Sequence, residues 1–411
     1  MTKLDKLIQE LCPDGVQFLR IPELFTTRNG YTPSKANSEF WESGTIPWFR
    51  MEDIRANGRI LTEATQCVSK KAVKGRVFPE NSIIVATSAT IGEHALIKVP
   101  SLANQRFTYL VLKDEFKSSV DMMFIFYYCF KLDEYCKTHL NQGNFASVDM
   151  KQFAEFHFPV PPLPVQREIV RILDNFTELT AELTAELTAR KQQYAYYRDK
   201  LLTFENFTEW RTLDDVIVSL NTGLNPRQFF KLNPDDAHNY YVTIREIQNG
   251  TIVVSDKTDR INDDALRLCN NRSNLEVGDV LFSGTGTIGE TAVISEPPTN
   301  WNIKEGIYVI KPRKEVLHSR YLMYILRTDA LRSAIFKKVA GGTVKSIPMA
   351  EMRNLRVPVP SLKIQKCLVE VLDNFDAICT DLSSGLPAEI EARQKQYEYY
   401  RDKLLSFEEK I

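Results

Sequence analysis

The segment that most resembles a reactive site is Gly284-Thr-Gly-Thr-Ile-Gly289, which follows an apolar run. Glycines at this spacing bind the phosphates of a dinucleotide when a helix N-terminus lies directly behind them. Here the residues that follow, Thr291 to Ile294, predict a strand and not a helix. We therefore predict a tight turn between two strands, in preference to a cofactor site.

Other groups that could carry out covalent chemistry are scattered along the chain. The five histidines lack the spacing of metal ligands, and none stands in a pattern with a nucleophile. The chain contains no P-loop, no Gly-x-Ser-x-Gly segment and no Asn-Pro-Pro-aromatic tetrapeptide of the kind used by amino-methylating DNA methyltransferases. The sequence therefore predicts no catalytic residue, no metal site and no bound cofactor.

The chain contains an internal repeat, whose matched segments lie about half a chain apart. Phe158-Pro-Val-Pro-Pro-Leu163 returns as Val357-Pro-Val-Pro-Ser-Leu362, and Tyr196-Tyr-Arg-Asp-Lys-Leu-Leu202 returns as Tyr399-Tyr-Arg-Asp-Lys-Leu-Leu405. The other matched segments are Leu173-Asp-Asn-Phe176 with Leu372-Asp-Asn-Phe375, Thr90-Ile-Gly-Glu93 with Thr287-Ile-Gly-Glu290, Gly30 with Gly223, Gly143 with Gly342, and Ser147 with Ser346. One scaffold with divergent side chains indicates one fold serving two recognition tasks.

Each copy ends in a segment typical of a coiled coil, because its apolar residues recur mostly at spacings of four and three. The first seam runs from Val165 to Leu201, and the second runs from Ile364 through Leu382 to Leu404. A helix over residues 166–203 would be roughly 57 Å long at ~1.5 Å per residue. Gly385 and Pro387 predict a break in the second helix.

The remainder of each copy, residues about 16–155 (the first module) and 208–354 (the second module), has the pattern of a mixed α/β unit. Short apolar runs bounded by turn residues predict strands, and longer ones predict helices. The predicted strands are 82–85, 109–112, 279–282 and 307–310, the predicted helices are 124–135 and 319–338, and Leu4 to Leu11 predicts a short amphipathic helix.

Composition narrows the class of protein. The 411 residues, 43% apolar and 26% charged, predict several soluble globular domains. The chain has no apolar run of membrane-spanning length and no signal-peptide pattern, and its seven cysteines show no metal or disulfide spacing. We therefore expect a cytoplasmic protein with reduced thiols.

The formal net charge of −1 removes the argument that a globally basic chain binds nucleic acid. Regional charge is different: residues 69–113 carry seven basic and two acidic side chains, and residues 299–346 carry ten basic and three acidic ones. Two such stretches suit two phosphate-contacting surfaces, and ordinary solvated faces are the alternative.

Taken together, the repeated Pro-x-Pro-x-Leu entry, the repeated long helix and the divergent modules resemble the specificity subunit of type I restriction-modification systems. The resemblance spans essentially the whole chain and includes Thr180-Ala-Glu-Leu-Thr-Ala-Glu-Leu187. It implies an α/β (α+β) fold of two similar target-recognition domains separated by two long helices that form an antiparallel coiled coil, with an internal pseudo-two-fold repeat. The implied segments are residues 1–155 (domain one), 156–207 (central helix and spacer), 208–354 (domain two) and 355–411 (C-terminal helix).

The resemblance implies a DNA-binding subunit without catalytic activity. Each domain would read one half of an asymmetric bipartite site in double-stranded DNA. Two modification subunits would methylate adenine, and ATP-dependent restriction subunits would translocate and cleave the DNA. The alternative from another class is a coiled-coil scaffold with peptide-binding modules.

Candidate DNA-contacting residues are polar loop residues near the repeated turn and in the basic stretches, with an ordinary surface role as the alternative for each. They are Arg50, Ser88, Thr90, Asn104, Gln105 and Arg106 in the first domain, and Arg245, Thr285, Thr287, Asn302, Lys304 and Lys345 in the second. Candidate partner-binding residues are aromatic positions of the long helices, which could equally pack within the coil. They are Tyr194, Tyr196, Tyr197, Tyr397, Tyr399 and Tyr400.

Overall fold

A computed structural model describes residues 2–141, 146–204, 208–341, 344–380 and 385–410 of the chain. Two compact units account for these residues. The first unit combines Met1–Ala181 with Ala392–Ile411, and the second is Glu182–Glu391. Within each unit, a module packs against parts of both repeated helices.

The first half is built around a five-stranded sheet in the order β2-β9-β6-β7-β4, with a smaller sheet β5-β3-β8 and the pair β1-β10. Its elements in chain order are α1 (Lys3–Leu11), β1 (Phe18–Arg20), α2 (Ile21–Leu24), β2 (Phe25–Asn29), β3 (Ile46–Phe49), α3 (Met51–Asn57), β4 (Ile60–Leu61), β5 (Cys67–Val68), β6 (Ser82–Ala86), β7 (His94–Ile97), β8 (Leu102–Ala103), β9 (Phe107–Leu112), α4 (Met122–Thr138), α5 (Met150–Ala154), β10 (His157–Pro159) and α6 (Leu163–Leu201).

The second half repeats this topology with a four-stranded sheet β12-β20-β17-β18, a smaller sheet β16-β13-β19 and the pair β11-β21. Its elements are β11 (Trp210–Thr212), α7 (Leu213–Val216), β12 (Ile217–Thr222), α8 (Pro226–Phe229), β13 (Asn239–Val242), β14 (Ile247–Gln248), β15 (Thr251–Ile252), β16 (Arg260–Ile261), α9 (Asp263–Ser273), β17 (Val280–Ser283), β18 (Thr291–Val293), β19 (Trp301–Ile303), β20 (Ile307–Pro312), α10 (Ser319–Leu326), α11 (Asp329–Phe336), α12 (Met349–Arg353), β21 (Arg356–Pro358), α13 (Leu362–Thr380) and α14 (Leu386–Leu404).

Six strands of the central sheets are largely buried on both faces, which explains why they read as continuous apolar runs: β6, β7, β9, β17, β18 and β20. In β6, Ile83 packs into the core on the α4 side, whereas Ile84 packs towards the smaller sheet. In β17, Phe282 packs into the core on the α10 side and Leu281 into the opposite one. The successive side chains of a strand thus serve two cores.

The sequence prediction of a strand after Gly289 is confirmed, because β17 and β18 pair antiparallel and the glycine-rich segment is the turn between them. Gly286 lies in the left-handed region at φ 78°, and the equivalent residue of the first module, Ala89, has φ 64°. An added Cβ at Gly286 would meet no atom within 4 Å. The difference between these positions is therefore one of backbone strain and not of space.

Packing behind this turn differs between the modules in a compensating way. Gly284 lies against the ring of Tyr308, where a Cβ would approach the ring to 2.4 Å. At the equivalent positions of the first module, Thr87 and Thr108 share a hydrogen bond of 3.0 Å between their hydroxyl groups. A small residue thus faces a large one in the second module, and two residues of intermediate size face each other in the first.

The repeated Pro-x-Pro-x-Leu entry continues to a glutamine that fastens each long helix to its module. The Gln166 amide nitrogen donates to the carbonyl oxygens of Ser119 and Pro161 at 2.9 and 2.6 Å, and its oxygen accepts from the Asp121 N–H at 2.8 Å. Gln365, in α13, makes the same three bonds with Val316, Pro360 and His318. Both side chains are fully buried, so every polar atom of the amide is satisfied by backbone.

The repeated Leu-Asp-Asn-Phe segments have the same role in both halves. The Tyr127 hydroxyl donates to Asp174 at 2.6 Å, and the Tyr324 hydroxyl donates to Asp373 at 2.6 Å. Burial, together with the hydrogen bond to the carboxylate, raises the pKa of each tyrosine. The segments therefore join helix and module.

The repeated phenylalanines pair with the repeated Tyr-Tyr segments inside each unit. In the first unit the ring of Phe176 stacks on Tyr400 at 5.6 Å, and in the second unit the ring of Tyr197 stacks on Phe375 at 6.3 Å. The first part of α6 therefore pairs with the end of α14, and the last part of α6 pairs with α13. This is the order of an antiparallel helix pair, so the predicted fold class is confirmed.

Helix boundaries show where the sequence reading was incomplete. The single helix predicted over 319–338 is wrong, because it is divided into α10 and α11 by Arg327 and Thr328. Thr328 caps α11 by accepting a hydrogen bond from the Leu331 N–H. The predicted break near Gly385 and Pro387 agrees with the end of α13 and the start of α14, whereas Leu382, Gly143 and Gly342 lie outside the described residues.

Helix α1 is the amphipathic helix predicted from Leu4 to Leu11, and it packs in the first unit. Lys3 donates to the carboxylate of Glu168 on α6 at 2.7 Å, and Arg171 donates to the same carboxylate at 2.7 Å. These two cations, Arg171 more than Lys3, lower the pKa of Glu168 from 4.5 to about 2. None of the helices that the structure describes is long and apolar enough to cross a membrane.

We predict that Ala89→Gly raises the free energy of unfolding by about 0.5–1 kcal/mol, since it relieves a left-handed alanine and only partly loses this gain to unfolded-state entropy. The matched change Gly286→Ala should lower the free energy of unfolding by a similar amount. The added Cβ meets no atom there, so its only cost is backbone strain at φ 78°. Urea unfolding followed by circular dichroism measures both, and two effects of the same sign would contradict the explanation.

We also predict a pH dependence from Glu168. Because its folded-state pKa of about 2 is below the ordinary 4.5, its contribution to stability is complete above pH 4.5 and disappears as the pH falls towards 2. The variant Glu168→Gln should therefore show a shallower loss of unfolding free energy over this interval. Glu178→Gln, which changes an exposed carboxylate of the same helix, is the control and should retain the wild-type slope.

Candidate functional site

In each module, four loops follow the ends of equivalent strands. We call them the variable loops, because their side chains differ between the two modules. They follow β2, β3, β6 and β8 in the first module and β12, β13, β17 and β19 in the second. Their residues are 30–32, 50–53, 88–90 and 104–106 in the first module, and 223–225, 243–246, 285–287 and 304–306 in the second. The second of them includes the first turn of α3 in one module and the 3-10 turn Ile244–Glu246 in the other. The strands that hold the loops keep one register, while the loop side chains differ.

A glycine brings the first and fourth variable loops into backbone contact. A Cβ on Gly30 would lie 2.2 Å from the carbonyl oxygen of Asn104, and a Cβ on Gly223 would lie 2.1 Å from that of Ile303. No other residue type permits this approach. The repeated glycines seen in the sequence are therefore structural, and they position the side chains that follow them.

The second loop is fixed by a buried acid that caps its own backbone. In the first module the Arg50 N–H donates to Asp53 at 2.7 Å, and in the second module the Thr243 N–H donates to Glu246 at 2.8 Å. Both carboxylates are buried. Since an acceptor that is buried must be satisfied, the loop has one backbone conformation on which different side chains can be mounted.

The third loop is the turn after β6 or β17, and it is held by a segment far along the chain. Ser88 forms a β-bridge with Ser147, and Thr285 forms the equivalent bridge with Ser346. The Gly286 N–H donates to the carbonyl oxygen of Lys345 at 2.9 Å. The repeated serines noted in the sequence thus complete the site from outside the loop.

The second module forms a cleft of about 430 Å³ among these loops. Three predicted residues, Arg245, Thr285 and Lys304, line this cleft, together with Asp259 and Glu305. Thr287 and Lys345 are exposed on the same turn and on its bridging segment. Among the described residues of this module, the structure therefore gathers most of the predicted cationic and hydroxyl groups at one place.

In the first module the predicted residues lie on the equivalent loops. Gln105 and Arg106 are exposed, and the Asn104 side chain accepts from the Arg106 N–H at 3.0 Å. Gln105 also forms a hydrogen bond with Thr32, whose hydroxyl donates to the amide oxygen. Thr90 is half-buried at the end of the turn.

Arg50 is less accessible than its position suggests. Its guanidinium lies 5.8 Å from the centre of the Trp48 ring and its Nε 3.9 Å from Glu52. The buried Nε has no hydrogen-bond partner among the described residues. An arginine held in this way can present only its outer edge to a ligand.

Asn302 does not belong to the exposed site. It is fully buried in β19, where its amide oxygen accepts from the Ser273 hydroxyl at 2.8 Å and from the Ile303 N–H at 2.8 Å. Its amide nitrogen donates to Asn270 at 2.7 Å. The residue was nominated because it lies near a basic stretch, but its hydrogen bonds show that it fastens α9 to the sheet.

Several residues of the site were missed by sequence reasoning. Thr32, Thr243, Asp259 and Glu305 are on or beside the variable loops, and none was nominated. The spacing of the repeated glycines pointed to Thr32, which lies two residues after Gly30. Asp259 gave no signal, because it reaches the cleft only through the pairing of β16 with β13.

The six candidate tyrosines fall into three pairs related by the repeat. Tyr194 and Tyr397 are half-buried, and burial raises the pKa of each. Tyr197 and Tyr400 stack on the phenylalanines described above. Tyr196 and Tyr399 are 61% and 62% exposed, and the ring of each lies 5.3 or 5.4 Å from the ring of the tyrosine that follows it.

Groups that could bind a metal are not gathered at the variable loops. No cluster of three or more histidine, cysteine or carboxylate side chains occurs in the part of the chain that the structure describes. The closest pairing, His94 with Asp133 at 2.7 Å, is completely buried beneath the sheet, where Arg59 donates to the same carboxylate at 3.0 Å. The exposed groups of the site are hydrogen-bond donors, acceptors and cations, which suit recognition of a polar, anionic ligand.

Comparison with known proteins gives consistent matches. A family model described as "Type I restriction modification DNA specificity domain" matches residues 13–190 and again 208–392. The chain is 55% identical over 219 residues to the Type I restriction enzyme EcoprrI specificity subunit of Escherichia coli, an alignment that covers 50% of this chain and 53% of that protein. It is 36% identical over 259 residues to the EcoR124I/EcoR124II specificity subunit of Escherichia coli, covering 61% of each.

A solved structure shares the fold. Its title is "Structural basis underlying complex assembly and conformational transition of the type I R-M system", and the match has a TM-score of 0.64 at 16% identity, covering 96% of this chain and 98% of that one. The fold described above therefore recurs in that structure.

Proposed function

Because the chain belongs to the family of type I restriction modification DNA specificity domains, we propose that it is the DNA sequence-recognition subunit of a type I restriction-modification complex. In this role it reads an asymmetric bipartite target in double-stranded DNA and directs adenine methylation and cleavage by partner subunits. The two curated relatives described above are named as specificity subunits, and neither name favours the alternative of a peptide-binding scaffold.

The observation that carries this proposal is the pair of variable-loop sets. One backbone frame presents Asn104, Gln105 and Arg106 in the first module, and Lys304, Glu305 and Gly306 at the equivalent positions of the second. Base edges in the major groove differ in their donors and acceptors, so different side chains on one frame read different sequences. The half-sites of residues 1–155 and 208–354 should therefore differ, and the whole target should be asymmetric.

The division of labour in the complex is part of the same proposal, and the family to which the chain belongs supports it. The subunit selects the sequence, and it takes no part in bond making itself. Two modification subunits, which bind S-adenosylmethionine, supply methyl transfer, and restriction subunits supply ATP-dependent translocation and cleavage. Binding of DNA places the target adenines within reach of the modification subunits.

The partner-binding surface is best assigned to Tyr196 and Tyr399. Both halves keep this tyrosine exposed, although Tyr194, Tyr197, Tyr397 and Tyr400 are engaged with neighbouring groups. An aromatic side chain that is exposed at the same position of both repeats suits two copies of one partner.

The test of the proposal is to express the chain with its modification subunits and to map methylated adenines. We expect one asymmetric target of two short half-sites and an unread gap. Deleting Thr184 to Leu187 removes four helical residues, about 6 Å, which corresponds to one or two base pairs at ~3.4 Å each. The gap should shorten by that amount while both half-sites stay unchanged.

Methylation of an uninterrupted palindrome, or an unchanged gap in the deletion variant, would contradict this account. A gap that changes together with a half-site would show that the deletion disturbs a module, and the ruler explanation would then fail.

For the partner surface, we predict that Tyr196→Ala combined with Tyr399→Ala weakens assembly with modification subunits by at least tenfold, since two exposed aromatic anchors are lost. Titration by analytical ultracentrifugation measures the effect. Tyr196→Phe with Tyr399→Phe is the control, because it keeps the ring and removes only the hydroxyl. Equal assembly by the alanine variant and the wild type would exclude these residues from the interface.

A further inference from the structure

Position 245 of the second module and position 52 of the first stand on the same backbone frame. Arg245 lies two positions after Thr243, and Glu52 lies two positions after Arg50. Thr243 and Arg50 are the residues whose N–H groups donate to the buried acids. The module frames can be aligned without ambiguity here, because the Phe49 carbonyl accepts from the Asn104 N–H and the Val242 carbonyl accepts from the Lys304 N–H. One module thus carries Glu52 where the other carries Arg245.

The residue facing this position is exchanged as well. The Tyr241 N–H donates to the carbonyl oxygen of Asp259 at 2.7 Å, and at the same place of the first module the Trp48 N–H donates to that of Gln66 at 3.0 Å. Asp259 therefore corresponds to Gln66. An arginine with an acid in one module replaces a glutamate with an amide in the other.

Arg245 is held at two of its nitrogens. Its Nη2 donates to the Asp259 carboxylate at 3.2 Å, and its Nε donates to the Thr243 hydroxyl at 3.3 Å. Thr243 in turn donates to Glu246 at 2.7 Å. A long side chain that is already held at Nε and Nη2 loses less rotamer freedom when it binds a ligand.

Asp259 is itself fixed. Its other carboxylate oxygen accepts from the Asn233 amide at 2.9 Å, and its backbone carbonyl, next to β16, accepts from the Tyr241 N–H at 2.7 Å. The acid is therefore a support for the arginine and not an equal partner on a free surface. Simple ion pairs on a surface, by contrast, have little orienting effect.

Arg245 lines the cleft, and part of its guanidinium is free. Among the described residues, Nη1 of Arg245 has no hydrogen-bond or ion-pair partner, and the side chain is 61% exposed. Thr285 and Lys304 line the same cleft. Nη1 and the second hydrogen of Nη2, the one not given to Asp259, are the two parallel N–H donors at the end of the guanidinium. Such a pair matches the N7 and O6 acceptors of guanine in the major groove, which is the commonest specific contact of this side chain.

We propose that Arg245 reads a guanine in the half-site of the second module, and that Asp259 is a positioning residue that holds its guanidinium for this contact. The inference rests on the proposed function and specifies the base for one position. The corresponding position of the first module, Glu52, offers only acceptors and selects a different base. The exchange of charge at one frame position is thus a cause of target asymmetry.

The experiment measures methylation by the complete complex on duplexes carrying the mapped target and every single-base change in each half-site. Arg245→Ala should reduce discrimination at one guanine by roughly 5- to 150-fold, the range that one bidentate contact provides. Discrimination at every other position should stay at the wild-type level. Asp259→Asn should reduce discrimination at the same guanine by a smaller factor, because the arginine remains but is less well oriented.

Two further variants separate base reading from charge. Arg245→Lys keeps the cation without the planar fork, so it should restore the overall rate but not the discrimination. Lys257→Ala removes an exposed cation of the same module that does not line the cleft, and it should leave discrimination unchanged. Thermal unfolding of each variant complex verifies that the module is folded.

Opposite results would overturn the inference. If Arg245→Ala slows methylation equally on all duplexes and Arg245→Lys restores it fully, the side chain contacts phosphate. If Asp259→Asn changes the unfolding temperature but not the discrimination, the acid is structural only. If the wild-type complex methylates no bipartite target, the proposed function fails before this question arises.

Discussion

The approach of Gly30 and Gly223 to the carbonyl oxygens at the ends of β8 and β19 is the constraint on which the variable loops depend. Because no Cβ fits there, two loops from distant parts of the chain are brought to backbone contact in each module. The buried caps of Asp53 and Glu246 and the serine bridges of the β-turns then fix the remaining loops. The side chains of the variable loops are thus mounted on a frame that does not depend on their identity.

The repeated helix segments solve a different problem with equally specific contacts. Gln166 and Gln365 satisfy three backbone groups each, and Asp174 and Asp373 accept from tyrosines of the modules. These residues explain the matches between the two halves better than a general coiled-coil pattern would. Of the residues kept in both copies, these glutamines and aspartates join a helix to its module, the phenylalanines and Tyr197 or Tyr400 join helix to helix, and Tyr196 and Tyr399 stay exposed.

The sequence was sufficient to predict the two modules, the long helices and the turn at Gly286, because repeats and periodicity report on backbone and core. It was insufficient for the site, since exposure and pairing depend on tertiary contacts. Asn302 is of a residue type that can bind a base, but it is buried in the core. Asp259 reaches the cleft only through strand pairing. The break at Thr328 was missed because a capping threonine is compatible with an apolar helical pattern on both sides.

The contact of Gly284 with Tyr308 has a consequence for how such a chain can diversify. The ring occupies volume that a threonine side chain would need, while Thr87 and Thr108 share that volume in the other module. Genetic exchange that joined β6 of one module to β20 of the other would place Thr87 against Tyr308 and produce a steric clash. An exchange that takes a module as a whole keeps Gly284 with Tyr308 and Thr87 with Thr108, so it leaves both contacts intact.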